Sequence, residues 1–127
     1  MPLLLFLLSF MSIFSIFENT LEVVSYNIRY DNPQDIENQW DIRKETLASY
    51  LLKSSPDLIG MQEVLNNQLA DLSNSLKEYK YVGVGREDGK TKGEYSPIFY
   101  RKSKLKVLIS STFWLSETPQ KISVGWD

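Results

Sequence analysis

The sequence contains no cysteine and no histidine. Without Cys there is no disulfide framework, no thiolate zinc site and no thiol nucleophile. Without His there is no Ser–His triad and no imidazole general base supplied by this chain. An excess of basic charge is also missing: 14 Lys+Arg stand against 16 Asp+Glu, a net charge of −2. Tight nucleic-acid binders draw their affinity from Lys and Arg on phosphates, so this balance argues against one. No segment is repetitive or low in complexity, and 127 residues suit one domain.

Charge is absent altogether from residues 1–17, where Leu3-Leu4-Leu5-Phe6-Leu7-Leu8 leads to Ile16-Phe17 and stops at Glu18. The run is short for a bilayer span, which needs about 20 apolar residues. It suits the apolar region of a secretory signal better. Against that, no Lys or Arg lies near Met1 and no A-x-A cleavage site follows. Residues 1–18 are therefore expected to be a signal peptide or a hydrophobic anchor, with a buried N-terminal element as the third reading. The expected location is exported, periplasmic or secreted, with any membrane contact made through residues 1–17.

Residues 21–28 (LEVVSYNI) are rich in Val, Tyr and Ile and predict a strand. Asn32-Pro33 marks a loop. Asp41 opens a predicted helix to about Lys53, with Ile42, Leu47, Tyr50 and Leu51 on its apolar face. Pro56 ends it, because the residue before Pro is pushed out of the helical region. Residues 58–61 read as a buried strand. Leu65, Leu69, Leu72 and Leu76 form a helical stripe that belongs to the core. Residues 79–84 predict a strand and residues 85–93 a charged, Gly-rich loop. Residues 95–100 and 105–109 predict a hairpin, with a further short strand at 112–115. The order strand, helix, strand, helix, strands predicts an α/β layer with helices on a sheet face.

Polar groups stand where strands should end: Asn27 after the first strand, Gln62 and Glu63 after the buried run, and Glu94 after Gly93. Rigid strand ends hold side chains in place beside open loops. A carboxylate there can hold Mg²⁺, which takes oxygen ligands and keeps several waters. An Asn amide beside it can both donate and accept. Each residue alone also has an ordinary reading: Glu63 and Glu94 as solvated caps or salt-bridge partners, Asn27 as a turn residue.

Taken together the motifs say more. Ser25-Tyr26-Asn27-Ile28-Arg29, Trp40, Arg43 and Pro56-Asp57-Leu58-Ile59-Gly60-Met61-Gln62-Glu63-Val64 resemble the start of the endonuclease/exonuclease/phosphatase superfamily. Tyr81 to Arg86, Gly93 to Arg101 and Phe113-Trp114-Leu115-Ser116 resemble a bacterial branch of it, in the same order. The resemblance implies an α/β fold, the N-terminal half of a four-layer sandwich of two packed mixed sheets flanked by helices. It implies a metal-dependent hydrolase of phosphoester bonds, nuclease or phosphatase in type, using Mg²⁺ or Mn²⁺.

Carried over residue by residue, Glu63 matches the metal-ligand Glu of the QE motif. Asn27 matches the Asn that arranges metal and phosphate. Glu94 falls near a carboxylate that orients the catalytic His in deoxyribonuclease-like members. Arg86, in the preceding loop, is either a bidentate phosphate contact or an exposed loop residue. Trp40 and Arg43 are expected to pack and to form an ion pair holding the first loop and helix.

The family's His, its Asp-x-Asn pair and its terminal Asp-His pair have no counterpart in this sequence. Residues 19–127 are accordingly expected to be the N-terminal part of a family domain, truncated at Val124-Gly125-Trp126-Asp127 and close to inactive alone. The substrate classes implied are nucleic acid, sugar phosphate and lipid phosphodiester. Lys90, Lys92, Arg101, Lys102, Lys104 and Lys106 form a basic stretch that is either solvated or substrate-facing. The alternative function is a non-catalytic, degenerate homologue that binds a partner or a membrane. Sheet surface without its partner sheet is expected to drive association.

Overall fold

The computed structural model describes residues 20–126. The leader expected at residues 1–18 lies outside them. Among the described residues no helix is long and apolar enough to cross a membrane.

The chain order is β1 (Val23–Asn27), α1 (Trp40–Ser54), β2 (Leu58–Gln62), α2 (Asn66–Ser75), β3 (Tyr79–Val82) and β4 (Ile98–Arg101). They build one mixed α/β layer whose sheet runs β1-β2-β4-β3. The β1–β2 pair is parallel, from Val23 opposite Leu58 to Asn27 opposite Gln62. Parallel neighbours need a crossover, and α1 supplies it. β4 lies antiparallel to both β2 and β3.

Register explains the core. Val24, Ile59, Phe99 and Tyr81 stand in one row across the four strands. Ile59 and Phe99 are buried in this row, and Met61 lies two residues along the same face of β2. Leu47, Leu51, Leu69, Leu72 and Leu76 join them in one apolar cluster. Burying a Leu or Phe contributes about 1.5–3 kcal/mol each, so this row and the Leu stripe supply most of the drive to fold.

The helices end for local reasons. Asp41 in the first turn of α1 and Lys53 in the last complement its dipole. Ser55 takes the left-handed conformation at the C-cap (φ 57°), and Pro56 follows. The buried residues of α1 are Trp40, Leu47, Ala48 and Leu51. Ile42 and Tyr50, expected on the buried face, are exposed and line an open groove against β1 instead. Trp40 fulfils its packing role at 1% exposure, and its indole N–H donates to Asp71 of α2 at 2.8 Å.

The expected hairpin does not form. Both edges of β4 are taken, by β2 and β3, so no edge is left for residues 105–109. Leu108 and Ile109 are 86% and 92% exposed there. Residues 112–115 are not a strand either. The Trp114 backbone N–H turns to Pro119 O, and its indole N–H donates to Arg86 O at 2.7 Å.

Two members of the basic stretch are engaged in ion pairs, while Lys90, Lys92, Lys102 and Lys106 are exposed. Arg101 and Lys104 turn onto Asp57, which is 2% exposed and precedes β2. Lys104 Nζ lies 2.8 Å from Asp57 Oδ1, and the Glu22 N–H donates to Oδ2 at 3.1 Å. Together they hold the Asp57 carboxyl below the ordinary range, the Lys104 ammonium most of all. Arg101 further donates to Ser55, to Pro56 O and to the Tyr79 hydroxyl. These cations brace the end of β2 that lies away from Glu63.

Candidate active site

Parallel pairing of β1 with β2 leaves Asn27 and Gln62 opposite each other at the strand ends. Glu63 is the next residue. Its carboxylate meets Asn27 across the sheet: Asn27 Nδ2 donates to Glu63 Oε1 at 2.7 Å. Glu63 Oε2 accepts the Tyr30 backbone N–H at 3.2 Å. Asn27 Oδ1 accepts the Arg29 N–H at 2.9 Å, so the Asn is held at both ends of its amide.

The backbone bends sharply to achieve this. Arg29 and Glu63 both adopt positive φ, 60° and 59°. Non-glycine residues rarely do so, and each such residue stores on the order of 1–3 kcal/mol where the surroundings hold it. Two of the three such residues in the described chain lie at this site, Glu63 within the pair and Arg29 two residues past Asn27.

The loop after β1 is tied down by side chains. Arg29 forms a two-pronged ion pair with Asp35. Arg43 of α1, expected to form an ion pair, instead donates to three backbone carbonyls, those of Ile28, Arg29 and Asn38. The physical reason is position: the loop carbonyls left unpaired at the end of β1 are its nearest acceptors. Its guanidinium also lies 5.6 Å from the Trp40 ring centroid, a cation–π contact.

Asn27 lowers the Glu63 carboxyl below its ordinary range, and the Tyr30 amide adds to this. Glu63 is thus a half-buried carboxylate at the strand ends, kept ionised by two donors. Each oxygen accepts one N–H and retains a lone pair. That donor set fits a hard divalent cation such as Mg²⁺ or Mn²⁺, which completes its shell with water and phosphate oxygens. Among the described residues no three Asp, Glu, His or Cys side chains gather, and Glu63 is the carboxylate of this site that would hold such a cation.

Glu94 and Arg86 form a second pair, with Arg86 Nη1 3.1 Å from Glu94 Oε2. The backbone N–H of Arg86 donates to Glu94 O as well. Gly85 allows the loop to fold this tightly, because the Lys92 backbone occupies the space a Cβ would need. Val64 and Tyr95 exchange both backbone hydrogen bonds, which sets the Glu94 stretch beside the Glu63 turn. No hydrogen bond or ion pair joins the two pairs among the described residues. Sequence reading missed Tyr30, whose contribution is a backbone N–H, and Gln68, which is fully buried at 0% exposure. Only the Gln at the third position of α2 hinted at the latter.

The sequence profile of the Endonuclease/Exonuclease/phosphatase family matches residues 24–126. Among solved structures, the chain is similar to an endonuclease/exonuclease/phosphatase of Bacteroides vulgatus (52% identity, TM-score 0.82), covering 84% of this chain and 41% of that one. It is similar to a mannosyl-6-phosphatase of Bacteroides thetaiotaomicron (44% identity, TM-score 0.82), covering 85% and 41%. It is also similar to D. rerio TDP2 complexed with single strand DNA product (28% identity, TM-score 0.62), covering 77% and 36%. The chain therefore spans about two fifths of the length of these structures. No curated protein matches it.

Proposed function

We propose that this chain, which belongs to the endonuclease/exonuclease/phosphatase family, carries the cation- and phosphate-binding part of a metal-dependent phosphoester hydrolase. The observation that carries this reading is the Asn27–Glu63 pair at adjoining strand ends, 2.7 Å apart. Glu63 holds the cation, Mg²⁺ or Mn²⁺, through its free lone pairs. The cation supplies Lewis-acid neutralisation of phosphoryl charge. Asn27 uses one amide N–H to orient Glu63 and keeps the other for a phosphoryl oxygen.

Arg86 presents the guanidinium donors left free by Glu94 to the phosphate, and Glu94 sets the direction of that side chain. The base that deprotonates the attacking water is not among these side chains, so the chain alone is expected to bind far better than it turns over.

For substrate, a small sugar phosphate is favoured over a nucleic-acid strand. Arg101 and Lys104 brace Asp57 at the far end of β2, and in the loop of Arg86 the acids Glu87, Asp88 and Glu94 offset Arg86, Lys90 and Lys92. A long polyanion would need more free cations near the site. The 44% identical relative is a mannosyl-6-phosphatase, which agrees.

Calorimetric titration of the chain with Mn²⁺, then with inorganic phosphate, tests the reading. Wild type should bind both, and phosphate more tightly with Mn²⁺ present. Glu63→Gln should lose Mn²⁺ binding. Undiminished binding by the variant would remove Glu63 from the site.

A further inference from the structure

Gln68 is the one polar residue of α2 that is fully buried, at 0% exposure. Its amide satisfies three backbone groups. Oε1 accepts the Leu65 N–H at 3.0 Å and the Asp31 N–H at 3.2 Å, and Nε2 donates to Arg29 O at 2.9 Å. The Leu65 bond is ordinary: a Gln at the third helical position often reaches back to the N-cap amide. The other two go to chain 37 and 39 residues away. They grip the residues on either side of Tyr30, whose N–H is the backbone donor to Glu63. The Leu65 bond grips the opposite wall, two residues past Glu63. One buried amide thus spans both strained turns of the site.

We infer that Gln68 is a positioning residue: it fixes the Tyr30 amide and the Glu63 turn relative to one another, and through them sets cation affinity. The inference rests on the reading of Glu63 as the cation ligand. A helix cap alone would need only the bond to Leu65. The bonds to Arg29 and Asp31 leave α2 and serve the loop after β1. That loop holds Arg29 at a positive φ and must be held from outside.

The test uses the whole chain and Mn²⁺ alone, read as the free-ion signal in electron paramagnetic resonance. Folding is checked in each variant by the protected amides of Ile59 and Phe99. Gln68→Leu keeps the bulk and removes all three bonds, and should weaken Mn²⁺ binding about tenfold, within the 10–100-fold range for residues that orient metal ligands. Leu69→Ala destabilises the same helix through the core, where Leu69 is 3% exposed, and should leave the affinity of the folded chain unchanged. Glu63→Gln should abolish binding.

If Glu63→Gln abolishes binding and Gln68→Leu does not weaken it, the inference fails while the Glu63 reading stands. If Glu63→Gln binds normally, both fail. Equal losses in Gln68→Leu and Leu69→Ala would reduce Gln68 to a packing residue and overturn the inference. Should Gln68→Leu not fold, Gln68→Glu replaces it. That variant keeps acceptors for Leu65 and Asp31 but sets an oxygen against Arg29 O. It should also weaken Mn²⁺ binding, and wild-type affinity in it would overturn the inference.

Discussion

Asn27 Nδ2 and Glu63 Oε1 are 2.7 Å apart although 36 residues separate them in sequence. The parallel register of β1 and β2 makes this contact, since it sets Asn27 opposite Gln62. A slip of one residue would send the Asn to the other face of the sheet and leave Glu63 with the Tyr30 amide alone.

The ionisation of Glu63 should therefore answer to Asn27. The amide donor, followed by the Tyr30 N–H, depresses the carboxyl. A depressed carboxyl stabilises the fold above its unfolded pKa and loses that contribution as pH falls through its folded one. Asn27→Ala is expected to raise the Glu63 titration toward the ordinary range near 4. Carboxyl-carbon NMR across pH 2–6 (roughly the carboxylate window) would report it, and an unmoved titration would discount the hydrogen bond.

Acid sensitivity should come mainly from the other end of β2. Asp57 is buried, and Lys104 first, then the Glu22 amide, hold its carboxyl low. By the same sign, stability is full above the ordinary carboxylate range and falls as pH drops below about 4. Asp57→Asn should lower the melting temperature at pH 7 and flatten its decline toward low pH. Circular dichroism melts at stepped pH would show both effects.

The buried face of α2 was open to sequence reading because its signal is local, whereas on α1 only Leu47 and Leu51 of the expected face are buried. The spacing of Leu69, Leu72 and Leu76 marks one face whatever surrounds it. Strand residues 23–27 were readable from their Val and Tyr content, and residues 58–61 from a short apolar run. The fate of residues 105–109 was not, since composition does not say whether a sheet edge is free. Arg43 misled for a related reason: its acceptors are main-chain carbonyls, which no side-chain pattern advertises. The site was legible in Asn27 and Glu63 through their motifs. Gln68 was hidden, because its partners at 29 and 31 become neighbours only once α1 has crossed over the sheet.

Core truncation should be costly. Phe99 is 1% exposed and stands between Ile59 and Tyr81, whose ring centroid lies 5.4 Å from its own. Phe99→Ala is expected to cost about 3–5 kcal/mol. Urea denaturation monitored by Trp fluorescence measures it, and a loss under 1 kcal/mol (about a fivefold change in the folding constant) would contradict the packing described.

Association should follow from the sheet face turned away from the helices. Val23 and Ile98 on that face are 60% and 47% exposed. Apolar surface of this kind favours self-contact. Sedimentation velocity is expected to show concentration-dependent species, and Ile98→Lys to reduce them without a large change in melting temperature. A monomer at all concentrations would refute this.

In the phosphoester hydrolase proposed above, Arg86→Ala is expected to raise KM about tenfold for a phosphomonoester, close to 1.4 kcal/mol of binding, with kcat nearly unchanged. Arg86→Lys should recover part of it, since a lysine offers charge without the planar fork. A kcat loss larger than the KM change would assign Arg86 to the chemical step instead.

β2 also separates two properties that often trade against each other. Asp57 and Glu63 lie at its two ends, roughly 20 Å apart along extended chain. Energies at such a distance add almost independently. Acid tolerance can therefore be tuned at the Asp57 bolt while cation affinity is tuned at the Glu63 rim. A double variant should show the sum of the two single effects.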